Sequence, residues 1–177
     1  MSIKTSYFKC VTQPFSVSYP SLHKPNTEGN FPSGKYEVTA LLDSNEHSDT
    51  LNAIKAAVDS AFDAKWPNQD QSARHNPLRK QPDGTYKVKF KTKSAPILED
   101  ATGSKLAEDI IVGSGDLVRC ACTVAAYEGA SDGVTIYLNK VRLIEKRSIG
   151  DGVDDFGGPE DGFNQTVQAE VGSGINF

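Results

Sequence analysis

A mainly β chain, folded as a small closed or partly closed barrel with one inserted helix, is what the sequence predicts. Three observations carry this: period-two alternation along most of the chain, turn residues at short intervals, and a single stretch with helical spacing. At 177 residues the chain is long enough for one core of ordinary size. The expected division is one domain over residues 1–150 and a flexible acidic tail over 151–177.

Residues 3–19, IKTSYFKCVTQPFSVSY, read as two strand segments on either side of Pro14. Residues 34–43 set Tyr36, Val38, Ala40 and Leu42 against Lys35, Glu37 and Thr39, as a strand with one buried face does. The helix is expected over 49–65, with Ser48 as its N-cap and Pro67 just beyond its end. Leu51, Ile54, Val58, Ala61 and Phe62 recur at three- and four-residue steps, so one helix face packs on the sheet, and Trp66 at its end reads as packing. Residues 68–84 form a polar loop closed by the turn Pro82-Asp83-Gly84.

The strand over 85–93 places Tyr86, Val88 and Phe90 on one side and Lys87, Lys89, Lys91 and Lys93 on the other. After a loop around Pro96 and Gly103, residues 116–127 form a strand with Val118, Cys120, Cys122, Val124 and Ala126 inward and Arg119, Thr123 and Tyr127 outward. Asp132-Gly133 opens the last strand, VTIYLNKVRLIEKR, whose apolar phase slips between Leu138 and Val141. A bulge near Asn139 accounts for the slip, and bulges bend strands as barrels require.

Charge is distributed unevenly. The formal net charge is -4, yet all 19 Lys and Arg precede Gly150, and 151–177 hold six carboxylates and no base. Removing those six from 23 acids leaves 17 against 19 bases, and the excess is local. Residues 74–93 carry Arg74, Arg79, Lys80, Lys87, Lys89, Lys91 and Lys93 against Asp83 alone. The pI speaks against a polyanionic partner, whereas the local field is what a ligand meets.

Catalytic and metal chemistry finds no support. His23, His47 and His75 lie far apart in sequence without a marked nucleophile-base pair, no phosphate-binding loop motif occurs, and Gly113-Ser114-Gly115 lacks the context of a dinucleotide loop. The expectation is a non-enzyme without cofactor or metal. Cys10, Cys120 and Cys122 read as reduced core thiols, since no further Cys or His cluster completes a ligand set. No run approaches the roughly 18 apolar residues of a membrane span, and no signal segment opens the chain, so a soluble, unsecreted protein without membrane contact is expected.

The lysine row carries the binding expectation. Alternate strand residues recur about every 6.5 to 7 Å, so Lys87 to Lys93 span roughly 20 Å, a spacing comparable to successive phosphates on an extended single strand. Fixed charge supplies affinity without base identity, and aromatic stacking supplies the other half of sequence-tolerant single-strand binding. Tyr127 and Tyr137 point outward, with Arg119 on the side of Tyr127; Tyr19 and Tyr36 are further candidates, and each tyrosine has the alternative of an ordinary rim residue. Arg74, Arg79, Lys80 and Arg119 are expected to assist on phosphates. The acidic tail could occupy the same groove when nucleic acid is absent, and its cluster Asp154-Asp155-Phe156 or its last residue Phe177 could dock a partner.

These features together resemble the single-stranded DNA-binding proteins of tailed bacteriophages, of the OB-fold kind. The likeness spans about residues 15–158 and rests on order and spacing. It runs through Ser18-Tyr19-Pro20-Ser21-Leu22 with Pro25, GKYEVTALLD leading to LNAIKAAVDSAF, and Asn76-Pro77-Leu78-Arg79 before the basic strand. Ser114-Gly115-Asp116 and Tyr137-Leu138-Asn139-Lys140-Val141 complete it. The resemblance implies an OB-fold-like five-stranded barrel with extra strands, and non-specific single-stranded DNA binding in phage replication, recombination and repair. It also implies an acidic tail that contacts phage DNA polymerase, helicase/primase or recombination proteins. A homodimer in the cytoplasm of the infected bacterial host is the matching assembly and location. The competing reading is a non-enzymatic phage structural or protein-interaction barrel, its basic row meeting an acidic protein.

Overall fold

Five strands close on themselves around one core. In chain order the elements are β1 (Tyr7–Val11), β2 (Phe15–Ser21), β3 (Tyr36–Leu42), α1 (Ser48–Lys65), β4 (Arg79–Lys80), β5 (Tyr86–Thr92), β6 (Ile97–Glu99), β7 (Leu117–Tyr127) and β8 (Gly133–Glu145). The computed structural model describes residues 5–30 and 32–147; the expected tail, with Asp154, Asp155, Phe156 and Phe177, lies outside the described residues. β2 pairs with β3, β3 with β5, β5 with β8, β8 with β7, and β7 back with β2, which closes the barrel. All of these contacts are antiparallel except β5–β8, which is parallel.

The extra strands extend the barrel at its margins. β1 adds to β7, β6 adds in parallel to β8, and the two-residue β4 adds to β5. β4 falls inside the expected polar loop and β6 inside the expected loop near Pro96. Each is too short to show a period, and each is held by a longer neighbour.

The alternation buries Val38, Val88, Phe90, Val118, Cys120, Val124 and Ile136 completely, and the rings of Phe15 and Phe90 stack at 5.9 Å. α1 lies against β1 and β7 and buries Leu51, Ile54, Val58, Ala61 and Phe62, the expected face, with Trp66 also buried beside Phe62. Its N-terminus differs from expectation, because Ser48 is already helical and His47 is the cap, without a side-chain capping bond. The His47 N–H donates to the Asp43 carbonyl at 2.9 Å, and Asp43 Oδ1 accepts from the backbone of Asn45 and Glu46, so the chain is turned before Ser48 is reached. Gln13, in the link between β1 and β2, then supplies a cap: its Oε1 accepts the Thr50 N–H at 3.2 Å, while the Gln13 N–H donates to Thr50 Oγ1 at 2.7 Å.

Three register irregularities bend the wall, one of them between Leu117–Glu145 and Val118–Leu143. Ala121 pairs with Lys140 and Cys122 with Leu138, which leaves Asn139 as the extra residue, at the expected phase slip. In β2, Ser18 pairs with Thr39 and Ser21 with Glu37, so Tyr19-Pro20 carries the irregularity; Tyr19 has φ 45 and donates its N–H to Ser114 Oγ at 3.1 Å.

Candidate nucleic-acid interface

The lysine row becomes one wall of a groove. Leu41, Thr39 and Glu37 of β3 face Lys87, Lys89 and Lys91 of β5 on one edge, and Arg79 of β4 pairs with Lys87 on the other. Strand alternation turns these lysines away from the core, and Lys93 follows one residue beyond the strand end. A hollow of ≈ 200 Å³ is lined by His75, Pro77, Arg79, Lys87, Lys89 and Lys91. It shares His75, Lys91 and Thr135 with a second hollow of ≈ 580 Å³, which also takes in Lys35, Lys93, Tyr127 and Tyr137.

The opposite wall comes from β7 and β8. Tyr137 pairs with Lys91 across the parallel contact and is 41% exposed. Tyr127 ends β7 half-buried, its ring 6.5 Å from the His75 ring at a tilt of 48°. Six cationic side chains and two tyrosines thus line one continuous channel. Ammonium groups track a phosphate backbone, and the tyrosine faces offer platforms to bases.

His75 is placed by backbone rather than by its ring. Its N–H donates to the Asp132 carbonyl and its carbonyl accepts from the Val134 N–H, both at 3.0 Å, an isolated parallel bridge to Gly133. A Cβ on Gly133 would meet His75 Cβ at 2.6 Å and its carbonyl oxygen at 2.7 Å, so glycine is what permits the approach. This clamp carries Pro77 and Arg79 to the rim.

The field in the groove is strained by like charge. Lys91 is half-buried, and burial lowers its pKa from the ordinary lysine value; Lys35 and Lys89 lower it further, with Glu37 opposing. His75 is likewise lowered, by burial first and then by Arg79 and Lys91. An incoming phosphate relieves both. Of the row, Lys89 alone is in an ion pair among the described residues, 3.5 Å from Glu37 Oε1. Burial opposes ionisation of Glu37, but hydrogen bonds from Asn26 and Ser33 and the Lys89 charge outweigh it, and its pKa is lowered.

Other expected site residues lie elsewhere. Arg74 lies 4.3 Å over the Trp66 ring, and its guanidinium donates to the Asp70 carbonyl at 2.8 Å and to Gln69 Oε1 at 2.9 Å, so it secures the 66–74 loop. Arg119 donates from Nε to the Thr12 carbonyl at 2.9 Å and lines a different cleft, with Lys140 and Arg142. Lys80 is exposed outside the groove lining, as is Tyr19, 87% exposed. Tyr36 pairs with Thr92 at the mouth without lining it. Lys35, His75 and Thr135 were not singled out from sequence as groove residues; the only hint was that His75 directly precedes Asn76-Pro77-Leu78-Arg79. Among the described residues, no group of three His, Cys, Asp or Glu side chains could hold a metal, and no helix is long and apolar enough to cross a membrane.

The fold, a closed five-stranded OB-like barrel with marginal strands and one helix, is shared with solved structures of bacteriophage single-stranded DNA-binding proteins. Among solved structures it is similar to the single-stranded DNA-binding protein of bacteriophage Enc34 in complex with ssDNA, with a TM-score of 0.64 and 15% identity over 79% of this chain and 88% of that one. It is also similar to gp2.5, a single-stranded DNA-binding protein encoded by bacteriophage T7, with a TM-score of 0.61 and 19% identity over 90% of this chain and 99% of that one. No protein-family profile matches the chain. No curated protein sequence matches it either.

Proposed function

We propose that this protein binds single-stranded DNA without regard to sequence, as a non-enzymatic component of phage DNA replication, recombination and repair. The observation that carries the reading is the groove in which the β5 lysine row faces Tyr127 and Tyr137. Lys87, Lys89, Lys91, Lys93 and Arg79 meet phosphates, and the two tyrosines stack on bases. The shared fold supports this, since one of the similar structures is a complex with ssDNA. The acidic 151–177 segment competes for the groove and offers Asp154, Asp155, Phe156 and Phe177 to phage replication proteins such as a polymerase or helicase/primase. The working location is the cytoplasm of the infected host, and the working form a homodimer.

Titration of fluorescently labelled oligo-dT with the full chain tests the reading at low and moderate salt. Saturable binding at low salt that weakens as salt rises is expected. Absence of saturable binding at low salt would refute it.

A further inference from the structure

The cleft that claims Arg119 holds an unbalanced set of charges. Arg119 of β7 and Arg142 of β8 stand directly opposite one another, and the next pair on that face is Ala121 with Lys140. Like charges directly opposite across a strand pair are unfavourable without an anion between them. One anion is present: the buried Glu99 of β6 takes Arg142 at 2.6 Å and Lys140 at 3.3 Å. Arg119 is not reached by it. With Nε committed to the Thr12 carbonyl, its two Nη groups have no partner among the described residues. Three cations therefore stand against one carboxylate, which pairs with two of them, in a cleft of ≈ 330 Å³ whose remaining wall includes the apolar Val11 and Ala121.

The end of the described chain lies close by. The Arg147 N–H donates to Asp116 Oδ1 at 2.7 Å, and Lys146 Nζ meets Asp116 Oδ2 at 2.9 Å, which ties the exit of β8 to the start of β7. Asp116 precedes Arg119 by three residues, about 10 Å along a strand. Beyond Arg147 the sequence reads SIGDGVDDF, with Asp151, Asp154, Asp155 and Phe156. Seven residues from Arg147 to Asp154 span up to roughly 24 Å, so these acids reach the cleft without crossing the barrel. The lysine groove begins farther along the same face, because Tyr137 pairs with Thr123, four residues, about 13 Å, beyond Arg119 along β7.

We infer that the cleft of Arg119, Lys140 and Arg142 is the docking site for the chain's own Asp151-to-Phe156 stretch. A carboxylate from Asp154 or Asp155 completes the Arg119 fork, which suits bidentate carboxylate recognition, and the Phe156 ring covers Val11 and Ala121. A nucleic acid strand fits this cleft less well, since it would leave the apolar wall of Val11 and Ala121 unused. Tethering through so few residues gives an effective concentration in the millimolar range, which makes a modest site occupied. The first three tail acids are then held at the far end of β7, and competition for the lysine groove falls to Glu160, Asp161 and Glu170. That last division rests on the tail reading proposed above; the docking itself does not.

The test is nitrogen-proton NMR on the full chain, comparing it with the variant carrying Asp151→Asn, Asp154→Asn and Asp155→Asn. Backbone signals of Val11, Ala121 and Arg142 are expected to shift between the two, by amounts that persist on tenfold dilution and vanish at high salt. Repeating the comparison in an Arg119→Gln background should abolish the shifts, with core signals such as Val38 and Ile136 reporting that the fold is intact. Shifts confined to residues 87–93 would place these three acids in the lysine groove and overturn the docking site, and no shifts anywhere would overturn it too. Loss of the shifts on dilution would overturn docking within one chain. The oligo-dT titration remains a separate measure of DNA binding.

Discussion

Replacing Lys87 with glutamine removes one cation from the row while leaving the Lys89–Glu37 pair intact, and its effect can be worked out from the geometry. Four lysines about 6.5 to 7 Å apart and Arg79 beside them each neutralise one phosphate, and single-stranded nucleic acid contributes a log-log salt slope of about 0.7 per phosphate. The full chain is then expected to show a slope of about -3.5, a loss of roughly 130-fold in affinity between about 50 and 200 mM salt. Lys87→Gln lowers the slope to about -2.8 and the loss to roughly 50-fold. Lys89→Gln should flatten the slope by less, because its ammonium is already partly neutralised by Glu37 at 3.5 Å. Fluorescence anisotropy of labelled oligo-dT over a salt series measures all three slopes. An unchanged slope in Lys87→Gln would show that the row does not face phosphates. Equal flattening by the two variants would show that Glu37 does not neutralise Lys89.

Three further outcomes follow from the same groove. Tyr137→Ala should weaken oligo-dT binding by about 1–3 kcal/mol with the salt slope retained, and Tyr137→Phe should restore most of it; a flattened slope in Tyr137→Ala would assign the loss to charge rather than stacking. His75 is held below the ordinary histidine value, so its contribution to stability is complete above about pH 6.5 and is lost as pH falls through the folded value. Phosphates in the groove reverse its shift, so DNA affinity should rise between about pH 7.5 and 5.5, and His75→Gln should lose that rise in parallel titrations. Gly133→Ala drives a methyl into the His75 backbone at 2.7 Å, and thermal unfolding should register a cost of about 1–3 kcal/mol together with weaker binding as Arg79 leaves the rim; a neutral result would discount the clamp.

Much of the wall was legible because period-two patterning is local. The alternation in residues 85–93 revealed both the core face through Val88 and Phe90 and the outward lysines, and the phase slip after Leu138 located the Asn139 bulge. The helix face from Leu51 to Phe62 was readable for the same reason at a different period. The helix start was not, because the first turn is capped by Gln13, 37 residues away in sequence, rather than by Ser48. β4 and β6 escaped notice because strands of two and three residues exist only through their partners.

The candidate site divides along the same line. By itself the sequence determined the outward row of Lys87, Lys89, Lys91 and Lys93 and the acidic composition of 151–177, since side-chain alternation and charge are properties of the chain alone. Only the tertiary structure decided what faces that row. Closure of the barrel through the parallel β5–β8 contact brings Tyr137 to Lys91, and the His75–Gly133 bridge brings Arg79 beside them. It also separates Arg119 from Tyr127, although both lie on one face of β7. Pairing between remote segments is settled by burying apolar faces and satisfying backbone hydrogen bonds together, which no short stretch of sequence can express.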